Sequence, residues 1–172
     1  MGKKKRWMAA ALSIAMLFTA AVPFEVNAAA EKFTEKKIVV LDPGHGGYDS
    51  GSEEIIYGHH YIEADINWKI AGYTMQELQK YPNIEVHMTR ASKNQFVGLV
   101  DRVLIAKNYQ ADLLVSQHVN STDSAYVKGA SVLISSGTYR PYLAEKEKLF
   151  GSYVIKELGK LGISKRYAYQ GG

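Results

Sequence analysis

Apolar residues along this chain fall into short runs and into longer stretches with helical spacing. The four residues from Ile38 to Leu41 form a continuous apolar run that is too short for a helix, and Leu113 to Val115 form another. Such runs are typical of strands buried on both faces of a parallel sheet. The segment from Ile84 to Met88 alternates apolar and polar residues and predicts a further strand.

Helical spacing is clearest between about Ile62 and Lys80, where apolar residues recur at steps of three and four. The residues predicted to face inward from this helix are Ala64, Trp68, Ala71, Met75 and Leu78. Because Pro82 follows closely, the helix is expected to end before it.

Two more helices and one more strand are predicted downstream. Asn94 suits the N-cap of a helix over about Gln95 to Asn108. Gly129 to Ser135 reads as a strand, and Pro141 begins a long helix. The predicted inward residues of the first of these helices include Val97, Val100 and Leu104. We expect no strand after the long helix.

This order of elements predicts an α/β fold, a three-layer sandwich with a mostly parallel central sheet. The segment from Tyr48 to Ile62 is predicted to be a polar and aromatic loop. In such folds, ligands bind outside the carboxyl ends of the strands.

Polar residues with metal-binding side chains occur where the predicted strands end. His45 lies in a glycine-rich turn after the first strand, and Ser116, His118 and Asn120 share one face at the end of the third strand. Glu63 opens the helix that follows the turn. Two imidazoles and a carboxylate at one sheet edge form a candidate three-ligand zinc site, open to water at the fourth position.

Each of these residues also has an ordinary structural interpretation. A loop histidine such as His45 is commonly solvated, and a carboxylate such as Glu63 suits the N-terminus of a helix. His59 and His60 are rival ligands, although adjacent residues rarely point at one ion, and His87 is expected to flank the core. Arg90 can pair with Asp101 or Asp112, or it can hold a substrate carboxylate.

A longer pattern joins these residues in order. It consists of Asp42 to Gly47, Glu63, Thr89-Arg90, Arg102 with Ala106-Lys107-Asn108, and Ser116 to Asn120. From about Ile38 to Ile134 the chain resembles the zinc-dependent N-acetylmuramoyl-L-alanine amidases of the amidase type 3 family, which cleave bacterial peptidoglycan. Lys107, inserted between Ala106 and Asn108, departs from the family pattern.

The resemblance implies a Zn²⁺ site formed by His45, Glu63 and His118, with Asp42 and Asn120 beside the ligands or the substrate. It also implies that zinc-activated water cleaves the amide between N-acetylmuramic acid and L-alanine, with peptidoglycan as partner and a monomer as the expected state. Two alternatives are a catalytically inactive zinc- or wall-binding relic that lacks the general base, and an unrelated secreted α/β protein with structural histidines.

Family members continue with another strand and a second essential glutamate. We therefore expect residues 37–172 to be a zinc amidase catalytic domain that is incomplete at its C-terminus. The catalytic glutamate is expected to lie beyond Gly172, so the chain as written is expected to have little activity.

The N-terminal segment has the features of a secretory signal peptide. Basic residues from Lys3 to Arg6 precede an apolar stretch from Met8 to about Val22, and small residues follow up to Ala30. We expect residues 1–28 to be removed and the protein to be exported to the cell wall, periplasm or medium. The alternative is an uncleaved membrane anchor, but the stretch is short for a span of roughly 20 residues. The chain contains no cysteine, which excludes a lipoprotein anchor and disulfides.

Loss of this segment changes the charge balance. The full chain has 21 basic and 17 acidic residues. Without Lys3, Lys4, Lys5, Arg6 and Glu25, 17 basic and 16 acidic residues remain. The basic character therefore belongs mainly to the signal segment, and nucleic-acid binding is not indicated.

Overall fold

The computed structural model describes residues 35–122, 126–134, 141–164 and 169–170. The predicted signal segment, residues 1–28, lies outside them. The described residues belong to two compact units, one over residues 35–121 and the other over the described residues after Ser121. Within the described ranges, no helix has the length and apolar character needed to cross a bilayer.

Seven strands and three helices follow one another along the described residues. Their order is β1 (Lys37–Pro43), β2 (Glu53–Ile56), β3 (His59–Ile62), α1 (Glu63–Leu78), β4 (Ile84–Met88), α2 (Leu99–Asn108), β5 (Leu113–Gln117), β6 (Leu133–Ile134), α3 (Pro141–Lys160) and β7 (Tyr169–Gln170).

The first unit is built on a parallel sheet with the strand order β4-β1-β5. Val39 of β1 pairs with Val86 on one side and with Leu113 on the other. Val40 and Leu41 are 0% and 1% exposed, as expected for a strand covered on both faces. The predicted α/β fold with a parallel central sheet is therefore confirmed.

Helix α1 begins at Glu63 and packs over the sheet. Ala71 joins Val39, Leu41 and Val86 in the core, which is completed by partly buried methionine, leucine, isoleucine and valine side chains. Trp68 was expected to face inward but is only partly buried. Burial of α1 against a parallel sheet explains why its apolar spacing was readable from the sequence.

A β-hairpin replaces the loop predicted between Tyr48 and Ile62. β2 pairs antiparallel with β3, with Ile55 opposite His60. The two residues between the strands, Tyr57 and Gly58, have φ angles of 51° and 80°. A two-residue turn with positive φ at both positions has a backbone twist that matches the right-handed twist of the flanking strands. Short hairpins therefore favour such turns.

Helix α2 starts at Leu99, four residues later than predicted, and Asn94 does not cap it. The predicted inward residues Val100 and Leu104 are 72% and 46% exposed. The buried side of the helix instead presents Arg102, which is 6% exposed. Its guanidinium group makes the contacts with the end of β1 that are described below, and these contacts set the rotation of the helix.

In the second unit, α3 begins at Pro141 as predicted. Its buried residues are Ala144, Gly151, Ile155 and Leu158. A Cβ atom on Gly151 would lie 3.1 Å from Cγ1 of Val132, so glycine permits close packing of the helix at this point.

The expectation that no strand follows α3 was wrong. β7 (Tyr169–Gln170) pairs in parallel with β6 (Leu133–Ile134). β6 is also shorter than the predicted strand from Gly129, whose last residue, Ser135, lies outside the described residues. A two-residue strand is too short to leave an alternating pattern in the sequence. The length of β6 and the presence of β7 were therefore not predictable.

Candidate metal centre

His45 lies in the turn after β1, at the carboxyl edge of the sheet. Its φ angle is 60°, a left-handed conformation that is unfavourable for residues other than glycine and is often found at functional sites. A Cβ atom on Gly51 would lie 2.5 Å from Cδ2 of His45. Only glycine at position 51 leaves room for the imidazole ring in this position.

Asp49 orients His45, a role that was not predicted from the sequence. Nδ1 of His45 lies 3.0 Å from both carboxylate oxygens of Asp49. Burial raises the pKa of Asp49, but the hydrogen bond with His45 and one from the backbone N–H of Gly51 outweigh it, so the pKa is lowered. When the imidazole of His45 is neutral, an ionised carboxylate that accepts from Nδ1 leaves the lone pair on Nε2, as in carboxylate–histidine–metal arrangements. The His-x-x-x-Asp spacing across the glycine turn was the signal in the sequence.

Glu63 is the most buried member of the site, with a side chain that is 3% exposed. The backbone N–H of Ser52 donates to Oε2 at 3.1 Å, and that of Val119 donates to Oε1 at 3.0 Å. Oε2 also lies 3.5 Å from Nε2 of His45, and Oε1 lies 3.2 Å from Nδ1 of His118.

These contacts keep Glu63 ionised. Burial alone raises its pKa, but the hydrogen bond with His118, the two backbone N–H donors and the charge of His45 lower the pKa to about 2. A carboxylate must be ionised to bind a metal ion. The centre therefore contains an anionic oxygen ligand at all pH values near neutrality.

His118 follows the end of β5, and its side chain is 40% exposed. A Cβ atom on Gly44 would lie 2.3 to 2.6 Å from three atoms of the His118 ring. The ring centroids of His118 and His45 are 4.9 Å apart, with the planes at 82°. As the alternation predicted, Ser116 and Asn120 are exposed like His118, whereas the intervening Val119 is buried.

The three predicted ligands come together at one point. One ring nitrogen from each of His45 and His118 and one carboxylate oxygen of Glu63 all lie within 4.8 Å of one another. Two imidazoles and one carboxylate are a donor set that suits Zn²⁺, and three protein ligands leave a fourth position for water or substrate. The residues therefore fit the metal that the family resemblance implies.

The rival histidines lie elsewhere among the described residues. Nε2 of His60 is 2.8 Å from Oε2 of Glu53 on the exposed hairpin, where His59 is also exposed. His87 stacks on Tyr109, with ring centroids 3.8 Å apart and planes at 13°. Within the described part of the chain, none of these three histidines belongs to a cluster of residues that could bind a metal ion.

Among the described residues, Asp42 makes its side-chain hydrogen bonds not with His45 but with the elements around it. Its carboxylate accepts hydrogen bonds from Thr89 at 2.6 Å, from Ser116 at 2.7 Å and from Nη1 of Arg102 at 2.6 Å. Nη2 of Arg102 donates in turn to the carbonyl oxygen of His45 at 3.0 Å. The influence of Asp42 on His45 thus passes through Arg102.

Arg90 is 1% exposed and donates to backbone carbonyl groups rather than to Asp101 or Asp112. The acceptors are the carbonyl oxygens of Pro43 at 3.1 Å, Gly44 at 3.4 Å, Ala64 at 2.9 Å and Lys93 at 2.8 Å. The predicted acidic partners were wrong, because the turn after β1 buries carbonyl groups that require donors.

Because the pKa of Glu63 is lowered in the folded protein, the stability of the fold should decrease in acid. A carboxyl group with a folded pKa of about 2 and an ordinary value of 4.5 stabilises the fold above pH 4.5, and this contribution is lost as the pH falls toward 2. For the metal-free protein, the free energy of unfolding should fall by about 2 kcal/mol more in wild type than in Glu63→Gln between pH 5.5 and pH 3. Urea titrations at the two pH values measure this difference.

The exposed Glu145 on α3 provides the control. Glu145→Gln should lose as much stability over this pH interval as wild type. If Glu63→Gln and wild type lost equal stability, the hydrogen bonds to Glu63 would not be holding its pKa down.

Comparison with known proteins agrees with this geometry. The model of a family described as N-acetylmuramoyl-L-alanine amidase matches residues 39–170. Over 123 residues the chain is 36% identical to N-acetylmuramoyl-L-alanine amidase AmiA of Escherichia coli K12, covering 69% of this chain and 41% of that protein. Over 115 residues it is 35% identical to N-acetylmuramoyl-L-alanine amidase AmiC of E. coli O6:H1, covering 64% of this chain and 27% of AmiC.

A solved structure is similar over much of the chain. The catalytic domain of CwlV, an N-acetylmuramoyl-L-alanine amidase from Bacillus (Paenibacillus) polymyxa var. colistinus, superposes with a TM-score of 0.62 at 29% identity, covering 79% of this chain and 70% of that domain. The chain spans less than half the length of AmiA and AmiC. Since the family model covers most of the sequence, the chain belongs to the N-acetylmuramoyl-L-alanine amidase family.

Proposed function

We propose that this protein hydrolyses the amide between the lactyl group of N-acetylmuramic acid and L-alanine in peptidoglycan, with Zn²⁺ as its cofactor. Membership of the amidase family supports the reaction. The observation that carries the proposal is the cluster of His45, Glu63 and His118, whose ligand atoms lie within 4.8 Å of one another at the edge where α/β proteins bind ligands.

The protein's own residues prepare the site for the ion. Asp49 accepts a hydrogen bond from Nδ1 of His45 and so directs Nε2 toward the centre. The backbone N–H groups that donate to Glu63 fix both of its oxygens. When bound, zinc supplies Lewis acidity, which polarises a carbonyl group and lowers the pKa of water to about 7. The exposed side of His118 leaves this position accessible to a polymer.

A general base is also required, and the carboxylates near the centre are already engaged. Asp42 accepts three hydrogen bonds, and Asp49 is bound to His45. Asp65 forms an ion pair with Lys93 at 2.7 Å. A further acidic residue of the sequence, Asp123, lies outside the described residues. We therefore assign the proton-accepting role to none of the first three.

Activity can be tested on purified cell walls with protein expressed from its natural gene. New amino groups should appear as L-alanine is released from the lactyl carbonyl, a chelator should stop the release, and added Zn²⁺ should restore it. Glu63→Gln should lower the rate by at least about 100-fold, since disturbing even the groups that support metal ligands costs 10- to 100-fold. Glu77→Gln, on the same helix and paired with Lys80, should keep the wild-type rate.

The opposite outcome has a clear interpretation. Protein that binds cell walls but releases no amino groups in the presence of Zn²⁺ would contradict the proposal and favour the inactive wall-binding alternative.

Export is a separate part of the proposal and is supported by the order of basic, apolar and small residues at the N-terminus. We infer that residues 1–28 are removed and that the catalytic domain acts outside the cytoplasm. Mass spectrometry of exported protein should find an N-terminus at Ala29 or within two residues of it. A mature N-terminus at Met1 or Gly2 would show that the segment is retained.

A further inference from the structure

An exposed pair of aromatic rings lies beside the candidate metal centre. Tyr48 and Phe96 are stacked, with ring centroids 4.3 Å apart and planes at 26°. Tyr48 is 83% exposed and Phe96 is 40% exposed. Because Phe96 covers one face of the tyrosine ring, the exposure of Tyr48 includes the opposite face.

Tyr48 belongs to the same tight turn as the groups that orient His45. The backbone N–H of Gly46 donates to the carbonyl oxygen of Asp49 at 2.8 Å. The N–H of Asp49 donates in turn to the carbonyl oxygen of Gly46 at 3.2 Å. Asp49 is also the partner of His45 Nδ1. The position of Tyr48 is therefore tied to that of a candidate metal ligand.

Phe96 is held against this turn from the other side. A Cβ atom on Gly46 would lie 2.5 Å from the carbonyl oxygen of Gln95, and one on Gly47 would lie 2.7 Å from the backbone nitrogen of Phe96. The two glycines thus bring the backbone carrying Phe96 into direct contact with the turn carrying His45. The backbone segments that carry the two rings are therefore held close to the turn of His45.

Packing in the hydrophobic core does not explain the stacking of Tyr48 on Phe96, because both rings are exposed. Single exposed apolar residues are normal on protein surfaces. Here, however, two exposed aromatic rings are stacked on backbone segments held next to the site, so that one open, flat and uncharged face is presented to solvent. Ordering such a face without burying it gains little from the hydrophobic effect.

We propose that the Tyr48–Phe96 pair binds a sugar ring of the glycan strand. The electron-rich face of an aromatic ring attracts the polarised C–H groups that line one face of a pyranose. This inference rests on the proposed function, in which the bond to be cleaved is attached to a sugar through its lactyl group, so that a sugar ring must lie close to the centre. A neutral face suits a neutral N-acetylated sugar better than the charged termini of a peptide.

Binding can be measured without hydrolysis by titrating the neutral tetramer of N-acetylglucosamine into the protein and following aromatic NMR signals. Tyr48→Ala should weaken the affinity roughly three- to tenfold, whereas Tyr48→Phe should retain it because the ring is kept. Tyr73→Ala, which removes a 48% exposed tyrosine from α1, is the matched control and should bind like wild type. Equal melting temperatures and equal zinc content would show that each variant is folded.

The inference is overturned if wild type does not bind the tetramer or if Tyr48→Ala binds it as tightly as wild type. It is also overturned if Tyr48→Ala loses affinity only for the sugar-free stem peptide. A protein that releases no amino groups from cell walls but binds the tetramer through Tyr48 would contradict the proposed function while supporting the sugar site.

Discussion

The buried carboxylate of Asp42 holds the carboxyl edge of the sheet together. It accepts hydrogen bonds from Thr89 after β4, from Ser116 on β5 and from Arg102 on α2. Both side chains of the Asp42–Arg102 pair are 7% exposed. A buried ion pair adds little net stability, but removal of one partner leaves an uncompensated charge and costs about 3–5 kcal/mol. The strand ends and α2 therefore have one strongly preferred arrangement.

The candidate metal centre depends on that arrangement. Arg102 also donates to the carbonyl oxygen of His45, so the turn after β1 is fixed by the same guanidinium group that binds Asp42. Gly44 lets the ring of His118 approach the turn, and Glu63 enters from the start of α1. The three candidate ligands come from the turn after β1, the start of α1 and the end of β5, and non-covalent contacts alone bring them together. A site held by buried contacts in this way is preorganised for its ion.

Features with buried, regular patterns were predictable from the sequence, and features set by single contacts were not. The parallel strands and the start of α1 at Glu63 left clear apolar patterns, and the family pattern placed His118 beside them. The rotation of α2 was missed because its buried side carries the charged Arg102. The hairpin was missed because one of its two positive-φ positions is Tyr57, a residue type seldom found there. The strand Tyr169–Gln170 is too short to leave a periodic signal.

The most direct test of the metal centre is the zinc content of metal-free protein after equilibration with Zn²⁺ and removal of the free ion. Wild type should retain one ion per chain, and His118→Ala should lose stoichiometric binding. His60→Ala removes an exposed hairpin histidine and should retain the full ion. Full zinc occupancy in His118→Ala, or equal loss in His60→Ala, would contradict the assignment of His45, Glu63 and His118 as the ligands.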